Sequence, residues 1–122
     1  MGAKSNSQTP SDGGLADGYS LSQVAHNGDG VRLAISGELD IANAEAFTGE
    51  VYSLCEPVDG PVTIDFRKCV FIDSTGIRAL MALAQEQQVQ GRTLKLSGLT
   101  GEPARVLRLS GVLDSGLFAS DG

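Results

Sequence analysis

The stretch Cys69-Val70-Phe71-Ile72-Asp73-Ser74-Thr75-Gly76-Ile77 is where residue types and spacing bear on chemistry. An apolar run gives way to small and polar residues and then enters a helical pattern, which puts a hydroxyl at a helix N-terminus. Unpaired backbone N–H groups and the positive end of the helix dipole favour an anion there, so the place suits a phosphate or a phosphoryl acceptor. Gly76 lets another backbone come close. A plainer reading stands beside this one: Asp73 or Ser74 caps the helix, and both are preferred capping residues.

Other chemistries lack their parts. A serine at a strand-to-helix turn resembles a nucleophile elbow, but Ile72 stands where that motif needs its first glycine. The single histidine, His26, lies beside a hairpin turn, an exposed polar position far along the chain from Ser74. Gly28-Asp29-Gly30 is an ordinary turn without the Gly-Lys-Ser of a phosphate loop. Cys55 and Cys69 are fourteen residues apart with no C-x-x-C, so neither zinc ligation nor a redox dithiol is expected, and they read as two buried, reduced thiols of a cytoplasmic protein. No metal or cofactor is expected.

Charge narrows the partners. Fifteen Asp and Glu against nine Lys and Arg leave a net charge of -6 in 122 residues, and a pI near 4.5 removes the basic footprint that direct nucleic-acid binding needs. Aromatic residues make up 5% of the chain and Trp is absent, which argues against a carbohydrate cleft or a base-stacking surface. No apolar stretch reaches the roughly 18 residues of a membrane span. Met1-Gly2 invites myristoylation, but Asn6 stands where that motif needs Ser or Thr.

The elements that must position Ser74 follow from periodicity. Residues 1–18 are polar and are expected to form a disordered tail, leaving one domain over residues 19–118. Tyr19, Leu21 and Val24 predict a weak strand, Asn27 to Gly30 a turn, and Val31, Leu33 and Ile35 a second strand with one apolar face, together a β-hairpin. Ala44, Phe47, Val51 and Leu54 recur at helical spacing, with Asn43 or Asp40 as N-cap, and Pro57 and Gly60 close that helix. Val62 to Phe66 predicts a short interior strand. A second helix starts near Ser74, buries Ile77, Leu80, Met81 and Ala84, and stops at Gly91. Thr93 to Leu96 forms a further strand. Thr100 caps a third helix with Pro103 in its first turn, with Ala104, Val106, Leu107 and Leu109 inward and Gly111 at its end. The order ββαβαβα implies an α/β fold, a mixed sheet with parallel crossovers and helices packed mainly on one face.

Three segments in this order, Gly37-Glu38-Leu39-Asp40 before a helix, Val62-Thr63-Ile64-Asp65-Phe66, and Phe71-Ile72-Asp73-Ser74-Thr75-Gly76 opening the next helix, resemble the bacterial anti-sigma factor antagonists of the STAS domain family. The resemblance runs from about Tyr19 to about Val112. It implies a non-enzymatic partner-switching protein in transcription regulation and stress response. By that resemblance, Ser74 is phosphorylated by an anti-sigma factor that is also a serine kinase. The unmodified antagonist captures the kinase and frees its sigma factor, and a serine phosphatase resets the cycle. The partner surface is then expected at Asp40, Asp73, Thr75, Gly76 and Arg78. The alternative is a STAS-type module that binds a small ligand or scaffolds a larger signalling assembly. The family continues past the segment matching Leu107 to Val112 with a short strand and a closing helix, whereas this chain reaches only Leu117-Phe118 before a polar end at Gly122.

Overall fold

The computed structural model describes residues 18–27, 30–55 and 60–119. The expected tail, the turn at Gly28-Asp29 and the helix stop at Pro57 lie outside the described residues, as does the side chain of His26. Strands β1 (Tyr19–Asn27) and β2 (Gly30–Leu39) form the hairpin. Helix α1 (Ala44–Cys55) leads to β3 (Val62–Ile72), α2 (Ser74–Val89) to β4 (Leu94–Ser97), and α3 (Gly101–Leu109) to a short 3-10 helix (Val112–Asp114) and β5 (Phe118–Ala119). The sheet runs β1-β2-β3-β4-β5. Strand β1 is antiparallel to β2, and every later pairing is parallel.

Each helix joins two neighbouring parallel strands and each step goes the same way across the sheet. Right-handed connections therefore place all three helices on one face. That face holds the core: Val31, Leu33, Ile35, Val62, Ile64, Phe66, Leu94 and Leu96 are buried under Phe47, Val51, Leu80, Leu83, Ala84 and Leu107. At the sheet edge the Tyr19 ring meets Phe47 edge to face with centroids 6.5 Å apart, and its hydroxyl donates to the Glu50 carboxylate.

Two expectations need correction. The interior strand does not stop at Phe66 but runs to Ile72. Two register shifts, between Ala34 and Ser36 and between Gly37 and Glu38, let its second half keep pairing with β2, and such bulges break the alternation that marks a strand. Leu109, expected inward, is 74% exposed. The buried stripe of α3 is Pro103, Ala104 and Leu107, and a residue two positions past Leu107 turns about 200° away from it. The helix ends agree better: Gly91 and Gly111 both adopt positive φ directly after α2 and α3, as a C-terminal cap requires. Thr100 precedes α3 in extended conformation, although its side chain makes no capping bond. Cys55 and Cys69 are free and buried, and burial pushes both thiols up from their ordinary pKa.

The opposite sheet face is polar. Asp65 is buried there and takes a bidentate contact from Arg67, with Nε donating to Oδ2 at 2.9 Å and Nη2 at 2.7 Å. Hydrogen bonding from Arg67 holds the Asp65 carboxyl below its ordinary value despite burial. A depressed folded-state pKa contributes stability above the unfolded value of about 3.9 and loses it as pH falls through the folded one. Asp65→Asn should therefore be less stable than wild type at neutral pH, and the gap should close below about pH 4. Denaturant titrations at several pH values check this, and a gap independent of pH would remove Asp65 from the acid response.

Candidate functional site

The last residues of β2 and β3 end side by side, Leu39 opposite Ile72, so the two loops that follow are neighbours. The Asp73 N–H donates to the Leu39 carbonyl at 3.2 Å. After β2 the chain makes a tight polar turn. The Ala42 N–H donates to Asp40 Oδ1 at 3.0 Å, and Asn43, fully buried, accepts from the Asp40 N–H at 2.9 Å while its amide donates to the Glu38 carbonyl at 2.9 Å. This turn shapes the entry to α1.

Asp73 ties the two loops together. Its Oδ1 accepts from the Gly76 N–H at 2.9 Å, capping α2, and its Oδ2 accepts from the Ile41 N–H at 3.2 Å. Asp73 is the cap, which leaves the Ser74 hydroxyl uncommitted to that task. Ser74 is exposed as the first residue of α2. By their place in the first turn, the N–H groups of Ser74 and Thr75 have no intrahelical acceptor. An anion on Ser74 would sit at the positive end of a 16-residue helix.

The structure places the expected residues around the start of α2. Asp40, Asp73 and Thr75 are half-buried and Arg78 is exposed beside Ser74. Gly76, expected on the partner surface, is buried instead. A Cβ built on it would stand 2.5 Å from the Leu39 carbonyl oxygen and 2.8 Å from Ile72 Cγ1, so its part is to let α2 start against the strand ends. Sequence reasoning missed Ile41, which is 78% exposed. It fits the helical phase of Ala44 and Phe47, but α1 begins only at Ala44, and the Asp73 bond holds Ile41 out on the loop. Phe71, 40% exposed at the end of β3, adds a second apolar side chain near the turn. Among the described residues no cluster of His, Cys, Asp and Glu could hold a metal ion, and no helix is long and apolar enough to cross a membrane.

A mixed sheet with helices on one face and an exposed serine at a capped helix start define the class of this α/β domain. The family model described as Mlab, STAS domain, matches residues 22–118, and the chain belongs to the STAS domain family. Solved structures share its fold. An anti-sigma factor antagonist from Mycobacterium paratuberculosis superposes with a TM-score of 0.69 at 20% identity, over 85% of this chain and 86% of that one. The anti-sigma factor antagonist SpoIIAA in its unphosphorylated form gives 0.61 at 16% identity, over 84% and 89%. A sulfate transporter family protein from Wolinella succinogenes gives 0.63 at 23% identity, over 75% and 74%. No curated protein sequence matches this chain closely enough to count as a relative.

Proposed function

We propose that this protein is a non-enzymatic anti-sigma factor antagonist of the cytoplasm, switched by phosphorylation of Ser74. Unmodified, it binds an anti-sigma factor serine kinase and so releases a sigma factor; phosphorylated, it lets the kinase go until a serine phosphatase restores the hydroxyl. The observation that carries this is the exposed Ser74 hydroxyl at the start of α2, with Asp73 taking the cap in its place. The likeness to structures of anti-sigma factor antagonists supports it. Ser74 rather than Thr75 is the acceptor, because Thr75 is half-buried inside the first turn. A kinase reaching that hydroxyl covers Asp40, Ile41, Asp73, Thr75 and Arg78.

Incubation with ATP and candidate kinases, followed by peptide mapping, tests the reading. A phosphate on the peptide holding Ser74 is expected, and Ser74→Ala should bind the kinase constitutively and take none. Phosphorylation of Ser74→Ala at the wild-type rate would overturn the assignment. A second reading rests on the likeness to a sulfate transporter family protein: a STAS module that scaffolds or binds a ligand within a larger assembly, with Ser74 unmodified. It predicts no phosphate with any kinase.

A further inference from the structure

The sheet face opposite the helices concentrates positive charge in an acidic chain. Arg32, Thr63, Asp65, Lys95 and Ser97 share this face through the parallel registers Arg32↔Thr63, Thr63↔Lys95 and Asp65↔Ser97. Lys68 joins them opposite Ser36, and Arg67 beside Asp65. Four of the chain's nine basic residues thus surround one carboxylate, while the chain as a whole carries -6. The acidic Glu38 comes two residues past Ser36 on β2, toward the Ser74 end.

The two arginines are held rather than loose. Arg67 spends Nε and Nη2 on Asp65, and Arg32 donates through Nη2 to the Ser97 hydroxyl at 3.1 Å with Asp65 4.0 Å away. Each guanidinium has five N–H donors, so both keep donors for a further acceptor. On this face is a hollow of about 280 Å³ whose lining includes Ser22, Val24, Ala34, Ser36, Asp65, Arg67 and Lys68. Ser22, Ala34 and Ser36 give it small side chains, and Val24 in its lining is 57% exposed.

We propose that this open face is a second docking surface, separate from the Ser74 site, for an acidic protein segment. The segment would carry an apolar side chain to seat in the hollow against Val24 and carboxylates to meet Lys68, Arg67, Arg32 and Lys95. Charge complementarity selects the partner. The cations stand on β2, β3 and β4, two strand spacings or about 10 Å across, so one small anion does not reach all four but an extended segment of a few residues does. A nucleic acid fits less well, because the hollow offers no aromatic ring for stacking. Two surfaces on one small domain would let the protein hold its kinase at one end of the sheet and a further regulator on the open face.

The test uses a short labelled peptide alternating Glu with Leu, its Lys-for-Glu counterpart and a single-stranded RNA oligomer as probes on the full chain. The expected result is binding of the Glu peptide alone, with amide shifts at Ser22, Ala34, Ser36 and Lys68 and weakening as salt rises. Lys68→Glu and, separately, Thr63→Glu should reduce affinity roughly tenfold, about 1.4 kcal/mol. Both sites lie off the core, so thermal unfolding of each variant reports whether a loss is one of folding. Equal binding of the Lys peptide or tighter binding of the RNA overturns the proposal. So do shifts confined to α1, α2 and α3, a self-association that Lys68→Glu abolishes, or unchanged affinity in both folded variants.

Discussion

Phosphorylation of Ser74 should lower affinity for the kinase roughly a hundredfold, about 2.8 kcal/mol, while moving the thermal midpoint by only a few degrees. The asymmetry comes from where the hydroxyl sits. In the isolated domain a phosphate of about -1.5 to -2 charges meets the N-terminal N–H groups of α2, a favourable term of about 0.3 to 1 kcal/mol at an exposed site. Against it stand Asp73, the adjacent residue, and Asp40 in the loop that Asp73 holds alongside. Water screens these repulsions in the free protein. A bound kinase excludes that water, so desolvation of the phosphate and its repulsion from two fixed carboxylates fall on the complex. Nothing buried has to move: Ile64, Phe66 and Leu80 are fully buried and do not involve the Ser74 hydroxyl. Titration of both forms with the kinase and thermal unfolding of both measure the two halves. Amide exchange that rises along β3 on phosphorylation would instead mean a conformational switch.

How much of this was legible in the sequence depended on which signals were local. The α2 start was readable because a helix N-terminus announces itself with Asp, Ser and Thr ahead of an apolar period, and α1, α2, β2 and β4 lie within a few residues of their expected places. The far half of β3 was not, because Arg67-Lys68 and Val70-Phe71 break alternation where bulges re-aim the strand. Two-residue β5 offers no period at all. It pairs with Leu94 and Lys95, and only that tertiary contact makes it a strand. The role of Asp73 was half visible. A cap is a matter of three-residue spacing, whereas its bond to the Ile41 N–H joins positions 32 residues apart and needs the parallel pairing of β2 with β3. The same long-range fact hid Ile41, whose helical phase suggests burial; the close backbone approach read at Gly76 was legible, but not that the backbone is Leu39. Net composition reads as acidic and averages away the basic open face, since Arg32, Arg67, Lys68 and Lys95 are gathered by strand register, not by sequence.

Gly76→Ala should destabilise the domain by about 1 to 3 kcal/mol, the range for overpacking a filled site, and should weaken kinase binding as well. The usual expectation runs the other way, since alanine in place of a helical glycine gains about 1 kcal/mol of helix propensity. Here the added methyl meets a backbone oxygen 2.5 Å away and Ile72 Cγ1 at 2.8 Å. The nearest atom belongs to the Leu39 main chain, between β2 and the Asp40 turn, so it has no rotamer through which to retreat. Relief requires the first turn of α2 to lift from the strand ends. That movement stretches the Gly76 N–H to Asp73 Oδ1 bond and, through the same carboxylate, the tether to Ile41. Stability and surface are thus coupled at one residue. Gly49→Ala is the control: it also lies within a helix, α1, but its added Cβ meets nothing within 4 Å, so that variant should gain stability and leave kinase binding unchanged. Denaturant unfolding and kinase titration of both variants decide the matter, and a Gly76→Ala protein as stable as wild type would show that α2 does not rest on Leu39 as described.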